Sequence, residues 1–257
     1  MKKCGILLSG GNGTRLYPMT KVVSKQLLPV YDKPLIYYPL TTLKLAGVRD
    51  ILIIVSSYKN KLLFEDLLGD GSDFGCTLSY KVQSKPRGLA DAFIVGKEFI
   101  SNRDVVLALG DNIFYGETFN QTLESICKKN RNIIFGCEVV NPERYGVALF
   151  NSNGDLKEII EKPKQFVSNF AIPGLYFFDN TVIEKAEKLK PSPRGELEIV
   201  DIINLYLNDN NLKLVKLPYG TVWFDTGTPN SLFEAGEFIK VIQSRTGITV
   251  GDPSKQL

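Results

Sequence analysis

Short apolar runs alternate along the first half of the chain with segments whose apolar residues recur every three or four positions. The clearest run, Ile51-Leu52-Ile53-Ile54-Val55, is unbroken, as expected of a strand buried on both faces. Strands are predicted over residues 4–8, 50–55, 78–82, 105–109 and 133–139. Helices are predicted over residues 36–46, 60–68, 89–99 and 119–129. This alternation indicates βαβ units, so we predict an α/β fold with a mainly parallel central sheet.

The second half of the chain is richer in predicted strands. Two runs, 147–150 and 156–161, flank Asn151-Ser152-Asn153-Gly154-Asp155, in which Asn-Gly is a strong hairpin signal. Further strands are predicted over residues 170–178, 212–217 and 222–225, and further helices over 181–189, 197–207 and 230–245. No linker rich in Pro, Gly or Ser interrupts the pattern. We therefore predict one domain, 1–257, with the β-rich part embedded in it.

Composition and charge narrow the class of protein. The 257 residues are 44% hydrophobic and 23% charged, as in ordinary soluble domains, and the net charge is only +3. Nothing in this balance demands a nucleic-acid or membrane surface, and no apolar run is long enough to span a bilayer. The N-terminus lacks the apolar core and cleavage site of a signal peptide. None of the four cysteines forms a C-x-x-C pair, so we expect reduced thiols in a cytoplasmic protein.

The chain contains no histidine. This absence excludes Ser-His-Asp triads, Cys-His dyads, H-E-x-x-H zinc sites and imidazole base catalysis. Any chemistry must therefore use carboxylates, lysine, arginine, hydroxyl groups and a hard metal ion.

A glycine-rich turn follows the first predicted strand, with the sequence Ser9-Gly10-Gly11-Asn12-Gly13-Thr14-Arg15. Glycines let backbone N–H groups approach a ligand closely, successive N–H groups form an anion site, and arginine suits phosphate. The pattern fits neither the P-loop nor the Rossmann fingerprint. Taken alone, the stretch fits either a triphosphate cradle or a tight turn without a ligand.

Two aspartates follow other predicted strands at the same edge of the sheet. Asp111 follows strand 105–109, and Asp225 ends strand 222–225. Ligands of open α/β sheets lie beyond the carboxyl ends of the strands, so both carboxylates are expected near the glycine-rich turn. Two carboxylates beside a phosphate cradle suit Mg²⁺, although each aspartate alone is equally compatible with a turn cap. Lys25 lies within reach of the turn by sequence, and Gly174 interrupts an apolar strand where a bulge or a ligand is expected.

Many ordered motifs together resemble the sugar nucleotidyltransferase family, in particular the glucose-1-phosphate thymidylyltransferases, over almost the whole chain. They include Leu8–Pro18, Ser24-Lys25-Gln26-Leu27-Leu28-Pro29, Gly88-Leu89-Ala90, Gly110–Gly116, Pro142–Val147, Glu161-Lys162-Pro163, Gly174–Phe177, Arg194-Gly195-Glu196-Leu197-Glu198 and Trp223–Thr228. The resemblance implies a three-layer, Rossmann-like fold with a nucleotide-binding half, about 1–140, and a sugar-phosphate-binding half, about 141–230. The C-terminal helix, about 230–245, follows them.

The resemblance also implies a role for each matching residue. The catalytic cations would be Arg15, Lys25 and Lys162, and the Mg²⁺ ligands would be Asp111 and Asp225. Nucleotide-binding residues would be Leu8, Gly10, Gly11, Gly13, Thr14, Arg15, Lys25, Gln26, Gln83, Gly88 and Asp111. Sugar-phosphate-binding residues would be Tyr145, Gly146, Glu161, Lys162, Ile172 and Gly174.

The implied reaction joins dTTP and glucose 1-phosphate to give dTDP-glucose and pyrophosphate. The attacking sugar phosphate has a second pKa of ~6, so it needs no general base, which agrees with a chain lacking histidine. Two alternatives stay open. One is the same reaction with UTP or another sugar phosphate, although the uridylyl relatives usually carry Pro-Lys-Glu where this chain has Ser24-Lys25-Gln26. The other is a non-catalytic regulator that binds nucleotide sugars.

Three departures from the family pattern affect these expectations. Ser9 and Arg87 stand where alanine and aspartate are common, and neither change removes a predicted site residue. Family members commonly run some thirty residues longer, with helices that help build a regulatory nucleotide site. Feedback control and the family's tetramer are therefore in doubt, and the expected homo-oligomer is a tetramer by resemblance or else a dimer.

Overall fold

A mixed ten-stranded sheet runs through the centre of the protein, whose computed structural model describes residues 3–11, 13–127 and 132–255. Its strands are β1 (Cys4–Ser9), β4 (Asp50–Val55), β5 (Thr77–Val82), β6 (Val105–Leu109), β8 (Ile133–Glu138), β9 (Gly146–Phe150), β10 (Leu156–Glu161), β11 (Phe170–Ala171), β12 (Leu175–Phe178) and β13 (Lys213–Lys216). Two antiparallel two-stranded sheets lie outside it, formed by β2 (Pro29–Val30) with β3 (Lys33–Pro34), and by β7 (Asn112–Tyr115) with β14 (Val222–Asp225).

The order across the large sheet is β10-β9-β11-β8-β12-β6-β1-β4-β5, and β13 also pairs with β8. The four strands β6, β1, β4 and β5 are mutually parallel, and β1 lies between β4 and β6 with Leu7 opposite Ile53 and Ala108. The antiparallel pairs come from β9 to β12, the part predicted to be β-rich. The predicted α/β fold with its embedded β-rich part is thus confirmed.

Helices cover both faces of this sheet, which gives the three layers. They are α1 (Tyr37–Leu45), α2 (Tyr58–Leu68), α3 (Asp91–Val95), α4 (Lys97–Ile100), α5 (Glu117–Cys127), α6 (Val182–Lys188), α7 (Ile199–Asn208) and α8 (Pro229–Thr246). One buried cluster joins the sheet to α3, α6 and α7, and a second joins its other face to α1, α2 and α5. Strands with both faces covered must be apolar throughout, which explains the unbroken run of β4.

Two predicted elements are divided in the structure. The helix predicted over residues 89–99 is two short helices, α3 and α4, which meet at Gly96, where a side chain would lie 2.9 Å from Ile6 Cδ1. The strand predicted over 170–178 is also two, because Pro173 and Gly174 end β11 and the chain then enters the sheet between β8 and β6 as β12. Of the helix predicted over 119–129, residues 128 and 129 lie outside the described part of the chain.

The last long helix, α8, packs on a separate small core. Thr228 caps its first turn, with the Oγ1 atom accepting from the backbone N–H of Ser231 at 3.2 Å, and Pro229 occupies the first helical position. Ala235 and Ile239 are buried against residues of β2 and β7. This arrangement fixes α8 next to β14, which carries Asp225. Among the described residues, no helix combines the length and apolarity needed to cross a membrane.

Candidate active site

The glycine-rich loop follows the buried strand β1 and leads into a single 3-10 turn, Thr14–Leu16. Gly11 and Gly13 have φ angles of +87° and +58°, which only glycine adopts at little cost. The Oγ1 atom of Thr20 donates to the carbonyl of Gly13 at 2.6 Å and closes the loop from the far side. Asn12 lies outside the described residues. The described part of the loop has the open, glycine-dependent backbone that an anion site needs.

Strand pairing brings the two predicted carboxylates to this loop. β7 begins directly after Asp111, and its antiparallel partner β14 ends on Asp225, with Asp225 opposite Asn112. Thr226 strengthens the junction, because its N–H and its Oγ1 atom both donate to the carbonyl of Asp111, at 3.1 and 2.8 Å. The convergence expected from the strand ends is therefore present.

Three cations surround the two carboxylates. Lys25, on the short turn Lys25–Leu27, forms an ion pair with Asp111, and both side chains are largely buried. Arg144 Nη2 lies 3.8 Å from Asp225 Oδ2. Arg15 passes so close to Gly227 that a side chain there would lie 2.8 Å from its guanidinium. The sequence predicted Arg15 and Lys25, whereas Arg144 was missed although it lies within one of the family-like motifs.

The pKa values of the two aspartates are shifted in opposite directions. Burial acts to raise the pKa of Asp111, but the Lys25 ammonium and hydrogen bonds from Lys25 and Asn112 outweigh burial, so this pKa lies below its ordinary value. Burial, followed by the negative charge of Asp111, raises the pKa of Asp225 above its ordinary value. A second carboxylate next to an ionised one is disfavoured unless a cation joins them.

A cavity of about 520 Å³ opens beside this cluster. It is large enough for a small polar ligand. Nine predicted site residues line it: Arg15, Asp111, Tyr145, Gly146, Glu161, Lys162, Ile172, Gly174 and Asp225. The sequence-based assignment missed polar and aromatic lining residues, among them Asn112, Arg144, Tyr176, Arg194, Glu196, Glu198 and Trp223.

Arg194 organises the acidic side of the cavity. Its guanidinium donates to Glu161 Oε1 at 3.1 Å and binds both oxygens of Glu198, at 2.8 and 3.1 Å. Lys162 Nζ lies 3.2 Å from the same Glu161 oxygen, and its backbone has a φ of +44°, unusual for a residue other than glycine. Glu161 thus faces the cavity between two cations. Arg194 belongs to the quoted Arg-Gly-Glu-Leu-Glu motif, which was the available signal for it.

A buried asparagine joins the floor of the cavity to the carboxylates. Asn112 Oδ1 accepts from the backbone N–H of Gly174 at 2.9 Å and from Trp223 Nε1 at 2.7 Å. Its Nδ2 atom donates to Asp111 Oδ1 at 3.1 Å. Gly174 itself packs against Leu109, where an added Cβ would lie 2.5 Å from the side chain. This close packing explains the glycine that interrupts the apolar strand.

Two of the three base-recognition residues predicted from the resemblance, Gln83 and Gly88, follow β5, whereas Gln26 lies against Gly110 at the end of β6. Gln83 follows β5, and a Cβ built on Gly10 would lie 3.3 Å from Gln83 Oε1. Gly88 has a φ of +101° and packs against the backbone of Leu197, which leaves no room for a side chain. Gln26 is buried, with its Oε1 atom accepting from Ser24 Oγ at 2.5 Å.

Leu8 and Ile172 have backbone groups that are already used within the protein. The carbonyl of Leu8 accepts from the N–H of Gly110 at 2.9 Å, and the N–H of Ile172 donates to the carbonyl of Gly146 at 2.8 Å. Both side chains are buried. Their assignment to ligand binding stays a prediction, as does the role of each other site residue.

Comparison with known proteins gives the class to which this fold and site belong. The family model "Nucleotidyl transferase" matches residues 4–241. The chain is 55% identical over 241 residues to the glucose-1-phosphate thymidylyltransferase of Neisseria meningitidis, covering 93% of this chain and 83% of the relative. The chain therefore belongs to the nucleotidyl transferase family, as the motif resemblance indicated.

Solved structures agree with this membership. A Bacillus anthracis structure assigned as a glucose-1-phosphate thymidylyltransferase, in complex with a sucrose, superposes with a TM-score of 0.83 at 39% identity. The match covers 92% of this chain and 94% of that one. A UDP-glucose pyrophosphorylase complexed with UDP-glucose superposes with a TM-score of 0.82 at 25% identity, over 95% and 100% of the two chains.

Proposed function

We propose that the protein is an enzyme that makes dTDP-glucose and pyrophosphate from dTTP and glucose 1-phosphate. The observation that carries the proposal is the meeting of Asp111 and Asp225 between a glycine-rich loop and a cavity of about 520 Å³. The family membership and the 55% identity to a glucose-1-phosphate thymidylyltransferase support the same substrates. In this reading the loop holds the triphosphate, and the cavity holds the sugar phosphate.

The reaction is an in-line substitution at the α-phosphorus of the nucleotide. A phosphate oxygen of glucose 1-phosphate forms the new bond to phosphorus, and the bond from phosphorus to the bridging oxygen of pyrophosphate breaks. With a second pKa of ~6, the attacking phosphate is already deprotonated near neutral pH, so no side chain has to accept a proton. The protein's work is to position two anions and to offset their charge.

Cations on three separate elements perform this work. Arg15 extends from the glycine-rich loop beside Gly227, and Lys25 lies at the Asp111 carboxylate. Lys162 directly follows the hairpin strand β10, half-exposed at the cavity, where it meets the sugar phosphate. Glu161 accepts hydrogen bonds from the sugar hydroxyl groups. Because the three cations approach from different directions, they hold the attacking and accepting phosphates together despite their repulsion.

Asp111 and Asp225 fit a divalent metal ion, and we assign Mg²⁺. Their oxygens are hard ligands, and burial with mutual repulsion raises the pKa of Asp225, a cost that a cation would relieve. The described residues contain no group of three or more acidic, histidine or cysteine side chains around one point. Mg²⁺ suits such a site, because it commonly uses one or two carboxylates with substrate phosphates and water. When bound, it polarises the phosphate oxygens.

Pyrophosphate release tests the proposal directly. Purified protein with Mg²⁺, dTTP and glucose 1-phosphate is expected to release pyrophosphate at pH 7–9, and Asp111→Asn or Asp225→Asn should each abolish most turnover. The matched control is Asp66→Asn, an exposed aspartate on α2, which should keep full activity. An inactive wild type would overturn the function. Full activity in both site variants would instead refute the metal assignment.

A second substrate assignment is uridylyl transfer, which the UDP-glucose pyrophosphorylase neighbour favours. Uracil differs from thymine only by the 5-methyl group, so a site for one base accommodates the other unless it selects that methyl. Parallel assays with dTTP, UTP, dCTP and dGTP separate the two assignments. We expect the highest kcat/KM with dTTP, and a preference for UTP would move the protein to the uridylyl branch.

A further inference from the structure

A buried carboxylate lies behind Gln83 and has no part in the chemistry described above. Asp91, the first residue of α3, is 1% exposed. Gln83 Nε2 donates to its Oδ2 atom at 2.8 Å, and Arg87 Nη2 lies 2.8 Å from its Oδ1 atom. Aspartate is almost never this buried unless it is paired, and Arg87 is the charged partner here, which leaves the other carboxylate oxygen to Gln83.

The position of Asp91 fixes which end of the Gln83 amide faces Gly10 of the glycine-rich loop. An amide has a donor end and an acceptor end of nearly the same shape, and a half-turn exchanges them. The Nε2 end of Gln83 faces two acceptors, the Asp91 carboxylate at 2.8 Å and the carbonyl of Gly88 at 3.4 Å. Turning the amide over would set Oε1 against both acceptors. Oε1 is therefore held on the side of Gly10.

The surrounding chain keeps this arrangement in place. Arg87, whose side chain is 59% exposed, offsets the buried charge of Asp91 from outside. Asp91 Oδ1 has no hydrogen bond within the described residues, so Arg87 acts by charge at 2.8 Å rather than through a directed N–H. Leu197 clamps the intervening segment, with its N–H donating to the Arg87 carbonyl at 2.7 Å and its carbonyl accepting from Ala90 at 3.1 Å.

A fixed acceptor at the base site selects for a base with an N–H on the facing edge. Thymine and uracil carry N3–H, whereas N3 of cytosine has no hydrogen and would face Oε1 as a second acceptor. A site built to receive a hydrogen bond rejects an analogue that cannot supply it, because its buried polar atom is left unpaired. This step rests on the proposed function, in which Gln83 lies at the base.

We propose that Asp91 is a positioning residue that sets the base preference of the site. It holds the Gln83 carbonyl oxygen toward the base, so that N3–H bases are accepted and cytosine is refused. Asp91 acts only through Gln83 and touches neither substrate. Arg87 stands where aspartate is common in related sequences, and its positive charge offsets the cost of burying the Asp91 carboxylate in this chain.

The test is Asp91→Asn, which keeps the shape of the side chain at residue 91 but can present either an oxygen or an N–H to Gln83. The Gln83 amide can then turn over. The kcat/KM ratio of dTTP to dCTP is measured with glucose 1-phosphate, and both nucleotides are titrated calorimetrically with Mg²⁺ and no sugar. We expect the ratio to fall by about tenfold or more, the value of one lost discriminating hydrogen bond. Glu98→Gln, an exposed carboxylate on α4, is the matched control and should leave the ratio unchanged.

An Asp91→Asn protein that melts like the wild type and keeps the wild-type ratio overturns the proposal. If that variant does not fold, Asp91→Ser provides the same comparison, and a wild-type titration with N3-methyl-dTTP requires no variant. Equal binding of dTTP and its N3-methyl analogue would mean that the acceptor is not used. If the wild type binds dTTP selectively but releases no pyrophosphate, only the proposed catalysis is contradicted. If the wild type is active and Asp91→Asn keeps the wild-type ratio of dTTP to dCTP, only the role of Asp91 is contradicted.

Discussion

Asn112 offers the sharpest test of how the cavity is held together. Its side chain is 3% exposed and makes three hydrogen bonds, to the backbone N–H of Gly174, to Trp223 Nε1 and to Asp111. The residue therefore joins the cavity floor, an aromatic wall and a predicted metal ligand. Asn112→Ala removes all three bonds and leaves their partners in place, so both the stability and the sugar pocket should suffer.

The size of the loss follows from the surroundings of each partner. The N–H of Gly174 is fully buried, and a buried donor without a partner costs about 1–3 kcal/mol. Trp223 is only half-buried at the cavity, where water can replace the asparagine, so its loss is closer to the net value of about 1 kcal/mol. Together they predict a decrease of about 2–4 kcal/mol in the free energy of unfolding.

Urea unfolding of wild type and variants measures this decrease, and initial rates of pyrophosphate release follow the function. Asn112→Asp is the matched variant, because it keeps the Oδ1 acceptor for Gly174 and Trp223 but puts a second negative charge beside Asp111. We expect it to be less stable than Asn112→Ala at neutral pH, because a second buried carboxylate beside Asp111 is disfavoured, and to recover stability as acid neutralises the added carboxyl group. We also expect Asn112→Ala to raise the KM for glucose 1-phosphate. If Asn112→Ala lowers the free energy of unfolding by less than about 1 kcal/mol, the cost assigned to the unpaired N–H of Gly174 is refuted.

Three further predictions follow from other parts of the structure. Gly88→Ala should cost at least about 2 kcal/mol of stability, because φ is positive and the added Cβ would lie 2.4 Å from the carbonyl oxygen of Leu197. Gly47→Ala also has a positive φ but meets nothing within 4 Å, so it isolates the backbone strain, and equal urea midpoints for the two variants would contradict the clash. Burial acts to raise the pKa of Asp179, but hydrogen bonds from Thr181, Asn132 and Tyr206 outweigh burial and hold this pKa below its ordinary value. The ionised Asp179 therefore stabilises the fold above pH ~4, and this stabilisation is lost as the pH falls through the lowered pKa. Urea unfolding of Asp179→Asn should therefore differ most from wild type at neutral pH and converge with it in acid, and a gap independent of pH would contradict this. Chelation with EDTA should stop pyrophosphate release and added Mg²⁺ restore it, whereas release that persists in EDTA would remove the metal from the mechanism.

The sequence was most informative where local chemistry and tertiary packing agree. An unbroken apolar run predicts a central strand, and β4 is indeed covered on both faces. The Asn-Gly hairpin between β9 and β10 is present because its turn chemistry is local. Helix 89–99 was predicted as one element because its apolar spacing continues across Gly96. The break falls at Gly96, which leaves helical geometry with a φ of −85° and a ψ of 1°, and the apolar periodicity does not encode it.

The sequence predicted only part of the site, because several of its contacts depend on tertiary packing. Asp111 and Asp225 were singled out because each follows an apolar strand, but their contact depends on the pairing of β7 with β14, two strands separated by more than a hundred residues. Arg194 and Asn112 act through partners distant in sequence, so no local pattern singled them out. Each carried only one signal, its place in a family-like motif.

A shared backbone junction links the two halves of the proposed site. Leu197 hydrogen bonds to the segment that carries Gly88, on the nucleotide side, and it lies between Glu196 and Glu198, which line the sugar cavity. Arg194 binds Glu198 and Glu161 from the same loop. A shift of this loop would therefore move the base contact and the sugar contact together. The proposed reaction needs no proton transfer from the protein, so such joint positioning would help a chain without histidine to bring two phosphates into line.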